Sequence, residues 1–196
     1  MTNKKKGIFC LEGDWWGVRD KTSVEPLLRL LETMGDYKVP YFHHDVATHE
    51  EFDFYLNKWR GKSFASHPIL YLAFHGEPGG IAVGEGRNNT LALDDLAQRL
   101  EGACKRRVIH FGSCSTLDVH GNELNSFLRR TGACAVLGFR TDVDWPKSAA
   151  LDLLVLAYLQ EVSFEKRGMR KFWRLLRENA PGLQKNLEFR MWPRAD

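Results

Sequence analysis

Four cysteines in 196 residues (Cys10, Cys104, Cys114 and Cys134) are too few and too scattered for a disulfide scaffold. None sits at the spacing of a zinc site or of a Cys-x-x-Cys redox pair, so no metal and no cofactor is expected, and a reducing cytoplasmic setting is. Long apolar runs are missing too. No stretch approaches membrane-spanning length, and residues 1–6 (MTNKKK) lead into GIFCLEGDWW, which turns acidic too soon for a signal peptide. Nor is there a large excess of one charge: 28 Lys and Arg against 25 Asp and Glu leave +3, spread along the chain. Nucleic acid and membrane are therefore not expected partners. The exception is residues 166–177 (KRGMRKFWRLLR), read as a helix with Phe172, Leu175 and Leu176 packed inward and a solvated basic face, an acidic-partner site being the alternative. Internal repeats and low-complexity tracts are absent.

With 43% hydrophobic residues the chain can bury a large core, and one domain over residues 1–196 is expected, with a core at about 7–162 and a basic helical extension at about 163–196. Residues 6–11 read as a first strand, followed by an acidic loop carrying Trp15 and Trp16. Thr22 and Glu25 fit a capping box for a helix burying Leu27, Leu30, Leu31 and Met34 before Gly35. Residues 37–46 read as a second strand. Thr48 and Glu51 repeat the capping signature, ahead of a stripe of Phe52, Tyr55, Leu56 and Trp59. A strand at 69–74 comes next, then a hairpin at 79–93 around a Gly, Arg and Asn turn, and a helix through Leu93, Leu96, Ala97 and Leu100. A strand ending at Phe111, a helix at 122–130 stopped by Gly132 and a strand at 134–139 complete the alternation. Asp144, ahead of Trp145 and Pro146, starts a last core helix burying Ala150, Leu153, Leu154, Ala157 and Tyr158. Strands alternating with helices imply an α/β fold: a mainly parallel sheet of five or six strands with helices on both faces.

Two strand ends stand out chemically. RVIHFGSCST, at 107–116, is a short apolar strand running into small residues with Cys114 at the turn. PILYLAFHGEPGG, at 68–80, delivers His75 into a glycine-rich turn in the same way. About forty residues separate the two, enough for a crossover between parallel neighbours. Neighbouring strands lie about 4.8 Å apart, so side chains just past their ends can meet. An inert buried thiol is the alternative for Cys114. A tyrosine-phosphatase loop is excluded, since the position six residues after Cys114 is His120 and not arginine. A nucleophile elbow fails because Thr116 replaces its second glycine and no histidine follows His120. His110 reads as a hydrogen-bonded core residue, and His120 as a rival base close to the cysteine loop. His43, His44 and Asp45 cluster, but adjacent strand residues face opposite ways, which disfavours a shared metal.

Histidine before cysteine, each ending its own strand, resembles the caspase-like cysteine peptidases through Phe74, His75 and Gly76, then Phe111, Gly112, Ser113 and Cys114. From about residue 69 to 160 the chain is most similar to the CHAT-domain branch, with GNELNSFLRRTGACAVLGFRTDVDW matching that branch's helix, glycine-led strand and acidic loop. The resemblance implies a three-layer caspase-like fold with a small β-hairpin after the histidine strand. It further implies a cysteine endopeptidase with a His75 and Cys114 dyad, and an oxyanion hole from the amides of Gly76 and Cys114. A protein or peptide substrate, an activating partner protein and a role as a bacterial stress or antiphage effector go with it. Two departures bear on substrate choice: Arg140 stands where the family often has tryptophan, and Gly112 where arginine-specific members carry aspartate. Asp14, Asp142 and Asp144 are the candidates to meet a basic residue before the scissile bond, whereas Arg140 would favour an acidic one. A catalytically silent scaffold or partner-gated binding module is the competing class.

Overall fold

The computed structural model describes residues 5–193 except 18, 36, 85, 87 and 88. The expected hairpin turn at Arg87 and Asn88 and the start of the basic tail at residues 1–4 lie outside the described residues.

The main sheet has six strands: β1 (Ile8–Glu12), β2 (Tyr41–Asp45), β3 (Ile69–Ala73), β7 (Val108–Phe111), β8 (Ala135–Phe139) and β9 (Phe189–Trp192), ordered β2-β1-β3-β7-β8-β9. All neighbours are parallel except β8 and β9. Each central strand is buried along its whole length and mostly apolar because both faces are covered. Alternation then splits each strand between two cores. On one side Ile8, Ile69, Tyr71, Val108 and Leu137 meet α1 (Glu25–Thr33), α5 (Trp145–Leu159) and α6 (Lys166–Asn179). On the other, Phe9, Leu70, Leu72, Ile109 and Phe111 meet α2 (His49–Trp59), α3 (Leu93–Arg99) and α4 (Gly121–Thr131). The result is the three-layer α/β fold expected. A small antiparallel sheet of β4 (Gly76–Glu77), β5 (Gly80–Ala82) and β6 (Thr90–Ala92) follows β3, one strand more than a hairpin.

Several local expectations hold. Thr48 accepts the Glu51 amide at 3.2 Å, and Phe52, Leu56 and Trp59 are buried on α2. Gly132, at φ 75°, ends α4 in the left-handed conformation that glycine adopts without strain.

Others are corrected. The Thr22 and Glu25 capping box does not form: α1 starts after Val24, whose amide donates to the distant Glu12 carboxylate at 2.8 Å. The buried face of α1 is Leu28 and Leu31, while Leu30 and Met34 stay 41% and 40% exposed. In α5 Ala157 is buried as expected, but the rest of the buried side is Ser148, Leu151, Asp152, Val155, Leu156 and Leu159; Ala150 is exposed, and Leu153, Leu154 and Tyr158 are half-buried. The second strand is five residues long and not ten, since Pro40 lies immediately ahead of it. The C-terminal piece is not helical throughout: α6 buries Met169, Phe172 and Leu176, α7 (Pro181–Asn186) follows, and β9 becomes the outer strand of the main sheet.

Candidate active site

Strands β3 and β7 are hydrogen-bonded parallel neighbours in the register Leu72 to Phe111, and the Gly112 amide extends the ladder to the Leu72 carbonyl at 2.8 Å. Running on from their carboxyl ends, the chain places His75 and Cys114 on the wall of one cavity of about 140 Å³. Gly76 shows how closely the two loops meet. A Cβ there would lie 2.3 Å from the Cys114 carbonyl oxygen and 2.9 Å from Ser113 Cβ, so only glycine lets the backbones touch.

Polar contacts staple the loops. Thr116 Oγ1 lies 2.7 Å from Ser113 Oγ and 3.0 Å from the Gly80 carbonyl, and the Gly79 amide donates to the Thr116 carbonyl at 3.2 Å. Gly76 faces Ile81 in a pair flanked by the bond from the Ala82 amide to the His75 carbonyl, 2.8 Å. That makes Gly76 and Ile81 the non-hydrogen-bonded pair of the ladder, with the Gly76 N–H turned away from β5. Among the described residues the Cys114 N–H donates to no protein acceptor either.

His75 is held from three sides. Its Nε2 donates to the Trp15 carbonyl at 2.5 Å, and the rings of Trp15 and Trp16 stand edge-on to it at 5.3 Å and 5.1 Å. This leaves Nδ1 as the ring nitrogen free to exchange a proton. Trp15 is itself clamped, since its indole N–H donates to Glu12 at 2.6 Å. Glu12, buried at the end of β1, also accepts from Ser23 Oγ at 2.6 Å, from the Val24 amide and from His43 Nε2 at 2.6 Å. One carboxylate thereby ties β2, the start of α1 and the loop over His75 together. Glu12, His43 and Asp45 bring their ligand atoms within 4.8 Å of one another, but the Glu12 oxygens already take four donors. Burial pulls the His43 pKa down, and the hydrogen bond and charge of Glu12 outweigh it, so the net shift is upward. His44 faces the other way and stacks on Tyr55 at 4.0 Å.

Cys114 is half-buried at the cavity, and its Sγ accepts the Val143 amide at 3.4 Å. Ser115 follows at φ 55°, a left-handed turn for a non-glycine residue, held by its amide on the Thr141 carbonyl (3.0 Å) and its hydroxyl on Asp142 (2.9 Å). The other three thiols are different. Burial, together with nearby carboxylates, pushes the Cys10 thiol far up, while burial lifts Cys104 to about 12 and Cys134 to about 11.

The candidate substrate residues lie elsewhere. Asp14, Arg140, Asp142 and Asp144 are not among the residues lining the cavity. Asp14 is exposed, Asp142 holds Ser115, and Asp144 caps α5 through the Lys147 amide at 3.2 Å. Arg140 pairs with Asp118 at 3.0 Å and with Glu188 at 3.8 Å. The rival base His120 is exposed ahead of α4, where its amide donates to Glu123 at 3.1 Å. Residues that sequence reasoning missed do line the cavity: Trp15, Trp16, Tyr71, Val143, Trp145 and Asp152. The tryptophan pair was the one visible hint.

The model of DUF6642, a family of unknown function, matches residues 5–193. The chain belongs to that family. No curated protein matches the sequence. Among solved structures the chain is similar to caspase-1 from Spodoptera frugiperda, with a TM-score of 0.50 and 12% identity over 82% of this chain and 71% of that one. At that identity the likeness concerns the fold, which is caspase-like. Among the described residues no helix is long and apolar enough to cross a membrane.

Proposed function

We propose that this DUF6642 protein is a cysteine peptidase related to the CHAT branch of caspase-like enzymes, acting on a protein or peptide through Cys114 and His75. The observation that carries the reading is one cavity lined by both side chains, with Gly76 packed against the Cys114 carbonyl. His75 Nδ1 takes the thiol proton, and the thiolate attacks the scissile carbonyl carbon. The amides of Gly76 and Cys114, which neither β5 nor a neighbouring acceptor occupies, receive the developing oxyanion. His75 then passes its proton to the leaving amine as the C–N bond breaks. Water, deprotonated by the same imidazole, hydrolyses the thioester and restores the thiol. Trp15 supports the histidine through a backbone carbonyl, the role a carboxylate fills in other triads. Because β9 closes the same sheet, the whole chain works as one catalytic domain in this reading.

The test uses the purified chain, a library of peptide amides and a chloroacetamide probe. Wild type is expected to cleave a subset of peptides and to be alkylated at Cys114, and Cys114→Ala and His75→Ala to lose at least about a hundredfold in rate. Cleavage that survives Cys114→Ala would overturn the proposal. A wild type that neither cleaves nor alkylates preferentially at Cys114 would support a silent scaffold instead.

A further inference from the structure

The cavity beside Cys114 is walled by aromatic rings, chiefly Trp15, Trp16, Tyr71 and Trp145, yet one of its lining residues is a carboxylate. Asp152 reaches it from α5 and is 3% exposed. Its oxygens accept from the Tyr71 hydroxyl at 2.7 Å and from His110 Nε2 at 2.8 Å. The second nitrogen of His110, Nδ1, is buried and has no hydrogen-bond partner among the described residues. The two donors to Asp152 are thus a phenol and an imidazole. Among the described residues no lysine or arginine pairs with it. A buried carboxylate without a counter-ion is costly, and each of its oxygens keeps room for another donor.

We propose that Asp152 is the specificity-determining residue of this cavity and selects a substrate with a lysine or arginine side chain beside the scissile bond. The inference rests on the peptidase reading. A long side chain ending in a cation brings the missing charge to Asp152, and aromatic residues in the wall suit such a cation. The space fits one such chain, since a cavity of about 150 Å³ holds a single benzene and this one is about 140 Å³. Asp152 thereby replaces Asp14, Asp142 and Asp144 as the acid that reads a basic residue. Gly112 cannot carry that acid here: a Cβ on it would lie 2.6 Å from the Tyr71 ring.

Rates of Cys114 modification by peptidyl chloromethyl ketones ending in arginine, lysine or norleucine test this, norleucine being close to lysine in shape without its charge. Wild type is expected to react roughly 10- to 100-fold faster with the two cations. That ratio should collapse towards one in Asp152→Asn or Asp152→Ser, whichever folds. Equal rates for norleucine and arginine in wild type, or a ratio retained in a folded neutral variant, would overturn the inference and leave the peptidase reading standing. Failure of every ketone and of chloroacetamide at Cys114 would sink both.

Discussion

Strand β7 carries a cysteine near each end, and the two live in different chemistry. At the amino end Cys104 is fully buried beside Arg107, whose guanidinium lies over Trp59 at 4.4 Å and donates to the Trp59 carbonyl at 2.5 Å. At the carboxyl end Cys114 opens onto a cavity with an imidazole, a backbone N–H on its sulfur and a left-handed turn behind it. Both flank the same strand and both are cysteines, so residue type does not make the difference. In a parallel sheet the carboxyl edge is where the connections diverge, leaving loops free to form a cleft over a rigid support. The amino edge, by contrast, is filled with packing.

The sharpest way to break this comparison is thiol labelling. Near pH 7.5, chloroacetamide should modify Cys114 on the order of a thousandfold faster than Cys104, because a thiol pushed up to about 12 holds almost no thiolate. Comparable rates, read by peptide mass spectrometry, would erase the distinction between the edges. Next in size is Gly76→Ala. Its methyl must displace the Cys114 carbonyl, and a shift near 1 Å should cost about a hundredfold in Cys114 reactivity or turnover. A normal rate would show that the two loops do not need their close contact.

At the other edge the effects should fall on stability alone. Arg107→Ala removes the stack on Trp59 and hydrogen bonds to the Trp59 and Gly61 carbonyls, and is expected to cost about 2–4 kcal/mol in denaturant unfolding while leaving Cys114 labelling unchanged. A smaller effect is alkaline. With its pKa raised in the folded state, Cys104 keeps its proton after the unfolded chain has lost it, so the unfolded state binds fewer protons and stability falls as pH rises above about 8.5. The loss should reach at most about 1.4 kcal/mol per pH unit for this thiol, and Cys104→Ala should remove that share of the slope up to about pH 11 while the share of Cys10 and Cys134 remains. Smallest of all is Arg140→Ala. Its two ion pairs are about half exposed, so unfolding should move by no more than about 1 kcal/mol, a larger change meaning that the pairs matter structurally.

The sheet was readable because its central strands are mostly apolar runs, and the helices because glycines or capping residues mark their ends, as Gly132 and Thr48 do. His75 and Cys114 were readable as residues ending two such runs. Where reading failed, the deciding contacts span the chain. Helix α1 is capped by Glu12, twelve residues before Val24, and nothing local reveals it. In α5 the run LDLLVLAYL is apolar on nearly every side, so periodicity gives no phase and does not single out Asp152 inside it. Strand β9 is four residues with Arg190 and Trp192 alternating against Phe189 and Met191, too short to announce itself after a basic helix.

Tyr71 and Gly112 also constrain how this chain can drift. The phenol ring fills the volume that any side chain at 112 would need, so neither position can change freely before the other. Placing an acidic side chain at 112, beside Cys114, would require losing the ring first. That loss strips Asp152 of its hydroxyl donor, so such an exchange is expected to pass through a less stable sequence.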